Sequence, residues 1–240
     1  MSEHIDIKDI DVVLLCGGLG KRLRPLVKDL PKPMAKINNR PFLDLLIDYA
    51  ASFGFRRFIF CIGHLGNIVR QYYQSRKPPF ETIFSEEKIP LGTAGALKNA
   101  APLIRSAPFL VMNGDSFCKV DLRKFLSFHL QKKALLSVVL ANMEYAKNYG
   151  SVMLTDKQRV SGFKEKSDNG KNNLVSCGIY FFEPQIFSLI PKSKEVSLEK
   201  DLFPRLINKE FYGYLTDKKF IDIGTPARYK EAVRLLSAKV

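Results

Sequence analysis

Residues 12–142 alternate between short, β-branched apolar runs and longer segments with apolar residues at helical spacing. The runs are VVLL (12–15), RRFIFCIG (56–63), FETIFS (80–85), PFLVMNGD (108–115) and ALLSVVLAN (134–142). Between them lie PFLDLLIDYAASFG (41–54), LGNIVRQYYQS (65–75), TAGALKNAAPLI (93–104) and DLRKFLSFHLQKK (121–133). The first of these has a proline at its head and a glycine stop at Gly54, as a helix requires. A β-α-β-α rhythm leaves few options. Parallel strands need crossovers, and helices must then cover both faces of the sheet. The expected fold is α/β, a Rossmann-like three-layer sandwich with a mostly parallel central sheet.

The second half changes character. YGSVML, VSGFKEK and NNLVSCGIYFF read as extra strands, whereas PQIFSLI (184–190), SLEKDLFPRLINK (197–209) and TPARYKEAVRLLSA (225–238) read as helices. No linker rich in Pro, Gly or Ser divides the halves. One domain over 1–240 is expected, with halves at about 1–118 and about 119–240.

Composition narrows the function classes. Hydrophobic residues make up 46% of the chain, no apolar run approaches the ~20 residues of a bilayer span, and the polar N-terminus does not resemble a signal peptide. Cys16, Cys61, Cys118 and Cys177 are far apart and sit in apolar runs, so buried free thiols in a reducing cytoplasm are expected. The formal charge of +14 calls for an anionic partner, but Lys and Arg are scattered. No basic tail or nucleic-acid module accompanies them, and no membrane partner is expected.

In open α/β sheets the ligand lies at the carboxyl ends of the strands. After the first run stands Gly17-Gly18-Leu19-Gly20-Lys21-Arg22, then Pro31-Lys32-Pro33. Glycines let backbone N–H groups approach phosphate oxygens, and arginine adds a fork of donors matched to phosphate. Two prolines fix the lysine between them. The spacing fits neither the dinucleotide fingerprint nor the P-loop. Polyphosphate binding is the expectation, with Arg22 and Lys32 facing solvent in the empty site.

"LLCGGLGKRLRPLVKDLPKPMAKINNRPFLDLL" resembles the signature of the sugar-1-phosphate nucleotidyltransferases. The likeness continues through IPLGTAGAL (89–97), NGDSF (113–117), FKEK (163–166), CGIYFF (177–182) and FIDIGTPARY (220–229). The resemblance implies attack of a sugar 1-phosphate on a nucleoside triphosphate, releasing pyrophosphate. It assigns the triphosphate and nucleoside to Leu15, Gly17, Gly18, Gly20, Lys21, Arg22, Glu87, Gly92, Thr93 and Gly114, with Lys32 beside the reacting phosphates. Gly150, Glu165, Lys166, Ser176 and Gly178 would hold the sugar phosphate, and Asp115 and Asp222 a Mg2+ ion. Ser176 stands where many relatives carry Asn, a shorter reach to a sugar hydroxyl.

By residue reading alone, Asp115 could be a turn residue and Glu165 an exposed strand end. Thr225 before Pro226 is the better helix cap, leaving Asp222 without an evident structural duty. SEEKIPLGTAGAL resembles the guanylyltransferases of the family, particularly those acting on D-glycero-D-manno-heptose 1-phosphate. Glu87 would accept from guanine N1–H and N2–H together, whereas Glu86, Glu87 and Lys88 could equally form a charged turn. Uridylyl or thymidylyl transfer and a catalytically silent subunit remain alternatives. Homo-oligomerisation is left open.

Overall fold

The structure is a computed structural model describing residues 5–18, 20, 22–23, 25–143, 149–164, 173–191 and 195–237. In chain order it contains β1 (Asp11–Leu15), the short hairpin β2 (Lys36–Ile37) and β3 (Arg40–Pro41), α1 (Phe42–Ser52), β4 (Arg57–Ile62), α2 (Gly66–Arg76) and β5 (Glu81–Glu86). There follow α3 (Gly92–Ala100), β6 (Phe109–Asn113), β7 (Ser116–Cys118), α4 (Leu122–Gln131) and β8 (Leu136–Met143). The remainder comprises β9 (Ser151–Leu154), β10 (Val160–Lys164), β11 (Asn173–Phe182), β12 (Phe211–Thr216), β13 (Phe220–Asp222) and α5 (Pro226–Ser237).

Among the described residues, nine strands form one sheet in the order β10-β9-β11-β6-β1-β4-β5, with β8 beside β11 and β12 beyond β8. β10 and β11 run against the rest. β11 pairs with β6 and thereby joins strands of the second half to those of the first.

Alternation of side chains explains why the inner strands read as unbroken apolar runs. Val12 and Leu14 of β1 and Phe58, Phe60 and Ile62 of β4 enter one core; Val13, Ile59 and Cys61 enter the other. The first core is covered by α1, α2, α4 and α5, the second by α3 and the chain around residues 186–206. This is the expected three-layer sandwich. All four cysteines are buried and free.

Two expected helices are not α-helices. Residues 184–189 form a 3₁₀ turn, and 198–206 a π-type turn followed by a 3₁₀ turn. Pro204 accounts for the second, because it has no N–H to continue the ladder. The pairs β2–β3 and β7–β13 are too short for any periodicity to reveal them.

At the amino end of the sheet, opposite the site described below, Asp11 is buried, with 1% exposure. One oxygen accepts from the Arg105 and Ser106 N–H groups at 2.5 and 3.0 Å, and the other meets the Arg57 guanidinium. Removing one partner of a buried ion pair leaves the other uncompensated, at a cost of about 3–5 kcal/mol. Asp11→Ala is therefore expected to lower the melting temperature by about 6–20 °C. Calorimetry checks this, and an unshifted melt would show that the network adds nothing.

Candidate active site

Parallel pairing of β1 with both β4 and β6 aligns Leu15 with Cys61 and with Asn113. The segments leaving those strands therefore emerge side by side. Beyond Leu15 comes the glycine loop, beyond β5 comes Glu87, and beyond Asn113 come Gly114 and Asp115. A cavity of about 410 Å³ opens between them, walled by Gly17, Gly18 and Gly20, by Glu87, and by Gly92 and Thr93 at the start of α3.

Glu87 is half-buried in that wall, and its Oε2 accepts from the Leu91 N–H at 3.2 Å. A Cβ at Gly17 or Gly63 would lie 2.8 or 2.6 Å from its Oε1, so a side chain at either position would push the carboxylate aside. Burial, followed by the nearby Glu195 carboxylate, raises its pKa above the usual carboxylate range; the Leu91 N–H opposes the rise. Two N–H groups in the first turn of α3 are bonded within the protein. Val196 O accepts from the Ala94 and Gly95 N–H groups at 2.9 and 3.2 Å, and Thr93 Oγ1 accepts from the Leu198 N–H at 2.8 Å. Thr93, Ala94 and Gly95 thus anchor the segment around residues 195–198 over the first cavity, and Gly92 leaves room for it.

The second cavity, about 1090 Å³, lies between β11, the 198–206 turns and β13. Phe163, Phe203 and Phe211 give it an apolar side, while Ser176, Gly150 and Glu199 supply polar groups. Gly178 has φ +71°, and a Cβ there would lie 2.6 Å from Ser116 Oγ and 2.7 Å from Asn113 Nδ2. Only glycine permits that approach. Ser176 Oγ bonds the Tyr180 hydroxyl at 3.0 Å and accepts from the Gly178 N–H at 3.2 Å, so it is held in place rather than free to swing.

Arg22, Lys32, Asn113 and Asp115 line both cavities and mark their junction. Arg22 is exposed, as expected. Lys32 is not solvent-facing: its side chain is 12% exposed and ion-paired with Asp115. Lys32–Met34 forms a 3₁₀ turn preceded by Pro31, with Pro33 buried, which fixes the lysine backbone. Asn113 Oδ1 is buried with no hydrogen-bond partner.

Asp222 does have a structural duty. Its Oδ1 accepts from the Gly224 N–H at 2.7 Å and from Arg228 at 3.2 Å, and its Oδ2 accepts from the Tyr149 hydroxyl. β13 lies antiparallel to β7 with Asp222 opposite Ser116, so the Asp115 and Asp222 carboxylates come from adjacent strand ends and both line the second cavity. The two carboxylates suit a hard divalent ion. Among the described residues no group of three or more His, Cys, Asp or Glu gathers, so further ligands would come from phosphate oxygens or water.

The structure brings Leu15, Gly17, Gly18, Gly20, Arg22, Lys32, Glu87, Gly92, Thr93 and Asp115 to the first cavity, and Gly150, Ser176, Gly178 and Asp222 to the second. Gly114 lines neither; it is buried, and its N–H bonds Leu15 O at 3.0 Å. Lys21, Glu165 and Lys166 lie outside the described residues. Sequence reasoning passed over Asn113, Tyr149, Glu195, Glu199, Lys200 and Arg228. Asn113, Tyr149 and Arg228 stand inside stretches already singled out, but no role was assigned to them there.

A family model described as nucleotidyl transferase matches residues 11–239. The D-glycero-alpha-D-manno-heptose 1-phosphate guanylyltransferase of Aneurinibacillus thermoaerophilus is 37% identical over 228 residues, 95% of this chain and 98% of that protein. The enzyme of the same name from Campylobacter jejuni is 32% identical over 220 residues, 92% of this chain and 97% of that one. Among solved structures, HddC from Yersinia pseudotuberculosis complexed with GMP-PN superposes with a TM-score of 0.84 at 32% identity, covering 95% of this chain and 99% of that one. With the motifs gathered at two adjoining cavities and a family match over almost the whole length, the chain belongs to the nucleotidyl transferase family.

Proposed function

We propose that the protein transfers GMP from GTP to D-glycero-α-D-manno-heptose 1-phosphate, giving the GDP-heptose and pyrophosphate. The observation that carries this reading is the pair of cavities meeting at Arg22, Lys32, Asn113 and Asp115. One cavity is bounded by a glycine loop and a half-buried carboxylate, the other by aromatic and hydroxyl groups. The names and near-complete overlap of the relatives support the choice of base and sugar. We read residues 1–240 as one catalytic domain, with 1–118 supplying most of the nucleotide wall and 119–240 most of the sugar wall.

In this reading an oxygen of the sugar phosphate attacks the α-phosphorus of GTP at the junction, and the bond to pyrophosphate breaks. Gly17, Gly18 and Gly20 offer backbone N–H groups to the triphosphate. Arg22 lies at the rim of both cavities, where it can hold donor and acceptor phosphates together. Lys32 exchanges its Asp115 partner for the negative charge of the reacting phosphate. Positioning and charge neutralisation of this kind supply most of the catalysis in phosphoryl-transfer enzymes. Glu87 accepts from the guanine N1–H and N2–H groups. Uracil and thymine would instead present carbonyls to it.

The family generally uses a divalent metal ion, and Mg2+ is the one we propose, held by Asp115 and Asp222. When bound, it would neutralise phosphate charge and align the reacting oxygens.

A matrix of the four nucleoside triphosphates against several sugar 1-phosphates, read by pyrophosphate release, is expected to peak at GTP with the heptose 1-phosphate. A peak at UTP or dTTP would overturn the base assignment. Arg22→Ala and Lys32→Ala are each expected to lower kcat/KM by about 10²–10³, the effect of losing one donor to developing charge. Near-normal turnover by both would remove the junction from the mechanism.

Glu87→Gln is expected to reduce the preference for GTP over UTP by about 1–3 kcal/mol. In the wild type that preference should shrink on acidification, beginning above the usual carboxylate range. Glu87 has a raised pKa and accepts from both guanine donors together only when ionised. A flat pH profile of the GTP/UTP ratio would contradict this role. Excess chelator is expected to abolish turnover, and Asp222→Asn to weaken Mn2+ binding in a calorimetric titration.

A further inference from the structure

Arg228 stands at the second cavity with an unusual set of partners. It lies in the first turn of α5, and its side chain is only 19% exposed. The guanidinium carbon sits 4.2 Å from the centroid of the Tyr149 ring. One terminal nitrogen meets Asp222 Oδ1 at 3.2 Å, and that same oxygen also accepts from the Gly224 N–H. The Tyr149 hydroxyl closes the group on Asp222 Oδ2. Tyr149, Asp222, Gly224 and Arg228 all line the cavity that Gly178 and Ser176 share.

A guanidinium has five N–H donors in a planar fork, and the bond to Asp222 uses one side of it. Stacking on Tyr149 holds the plane and reduces the freedom lost when the fork takes an anion. The cavity must receive a phosphate ester in the proposed reaction. Among the described residues its other cationic side chains are Arg22 and Lys32 at the junction with the first cavity, and Lys200, which is exposed. Arg228 is the described cation that is both enclosed and remote from the triphosphate cavity.

We propose that Arg228 binds the phosphate of the acceptor sugar 1-phosphate, and that it shares Asp222 with the divalent ion. While Asp222 is paired with Arg228, its charge is balanced. When the carboxylate turns to a metal, the fork is left facing the phosphate on the same side of the cavity. Each charge-assisted bond to a buried anion is strong enough to change affinity by about 10–100-fold. The inference rests on the reading that the second cavity takes a sugar 1-phosphate. It adds a phosphate-binding residue that the motif reading did not assign.

The test is calorimetric binding of heptose 1-phosphate, and separately of inorganic phosphate, to the full chain without nucleotide. Wild type is compared with Arg228→Ala and Arg228→Lys. Arg228→Ala is expected to weaken heptose 1-phosphate binding about 10–100-fold. Arg228→Lys should recover part of the loss, because it restores charge but not the fork. In steady-state assays KM for the sugar 1-phosphate should rise in both variants while KM for GTP stays within about twofold, an acceptor-specific pattern. Mn2+ titrated alone should bind Arg228→Ala at least as tightly as wild type, since a competitor for Asp222 has gone.

Unchanged binding of both phosphate probes by Arg228→Ala would overturn the proposal. So would parallel losses of GTP, phosphate and Mn2+ binding, which would make Arg228 a structural pin for α5. Failure of the broader reading looks different. No sugar 1-phosphate would then be turned over by the wild type, whereas the phosphate titration would still compare the variants.

Discussion

Parallel pairing of β1 between β4 and β6 is the constraint from which the site follows. It sets Leu15 level with Asn113, so the glycine loop and the Asn-Gly-Asp turn leave the sheet together on one edge. Hydrogen bonds that fix this register also fix the distance between a loop suited to phosphate and a carboxylate suited to a cation. A slip by one residue would turn Val12 and Leu14 out of their core and bring Val13 in, exchanging two fully packed faces. The core therefore defends the geometry of the site at a distance. The Lys32–Asp115 contact, which joins residues 83 positions apart, depends on that register.

Charge is managed in pairs at this edge. Asp115 meets Lys32, and Asp222 meets Arg228. Each carboxylate that could serve a divalent ion thus has a cation beside it when no ion is present, which limits the cost of holding two acids near one cavity. Lys32 and Arg228 can in turn serve phosphates once those acids are engaged. Glu87 is treated differently. It is half-buried, near a second acid, and steadied by the Leu91 N–H, an arrangement that suits a group waiting for N–H donors.

The segment around residues 195–198 shows how the second half completes the first. Its Val196 carbonyl caps the start of α3, and Thr93 receives the Leu198 N–H. Two donors of that helix start, Ala94 and Gly95 N–H, are thereby bonded by a residue a hundred positions away. Thr93 is consequently a structural anchor as well as cavity wall, and Gly92 leaves space for the Val196 carbonyl.

By itself the sequence determined the layered α/β architecture, the buried thiols and the membership of the motifs. Period-two and period-3.6 patterns depend on neighbours within one element, and signature glycines and prolines act where they stand. Pro41 heads α1 and Gly17, Gly18 and Gly20 line a cavity because their local conformational chemistry requires no distant partner. Only the tertiary structure decided what the charged residues face. Asp222 appeared idle and is held by three donors; Lys32 appeared free and is paired; Arg228 stood in a motif without an assigned role and lies enclosed on Tyr149. The Lys32 pairing comes from the register of β1 and β6, and the other two from contacts across β7–β13 and the first turn of α5, which join chain segments through strands too short to carry a pattern. Side-chain partners of this kind are set by register and packing between elements, and no spacing along the chain encodes them.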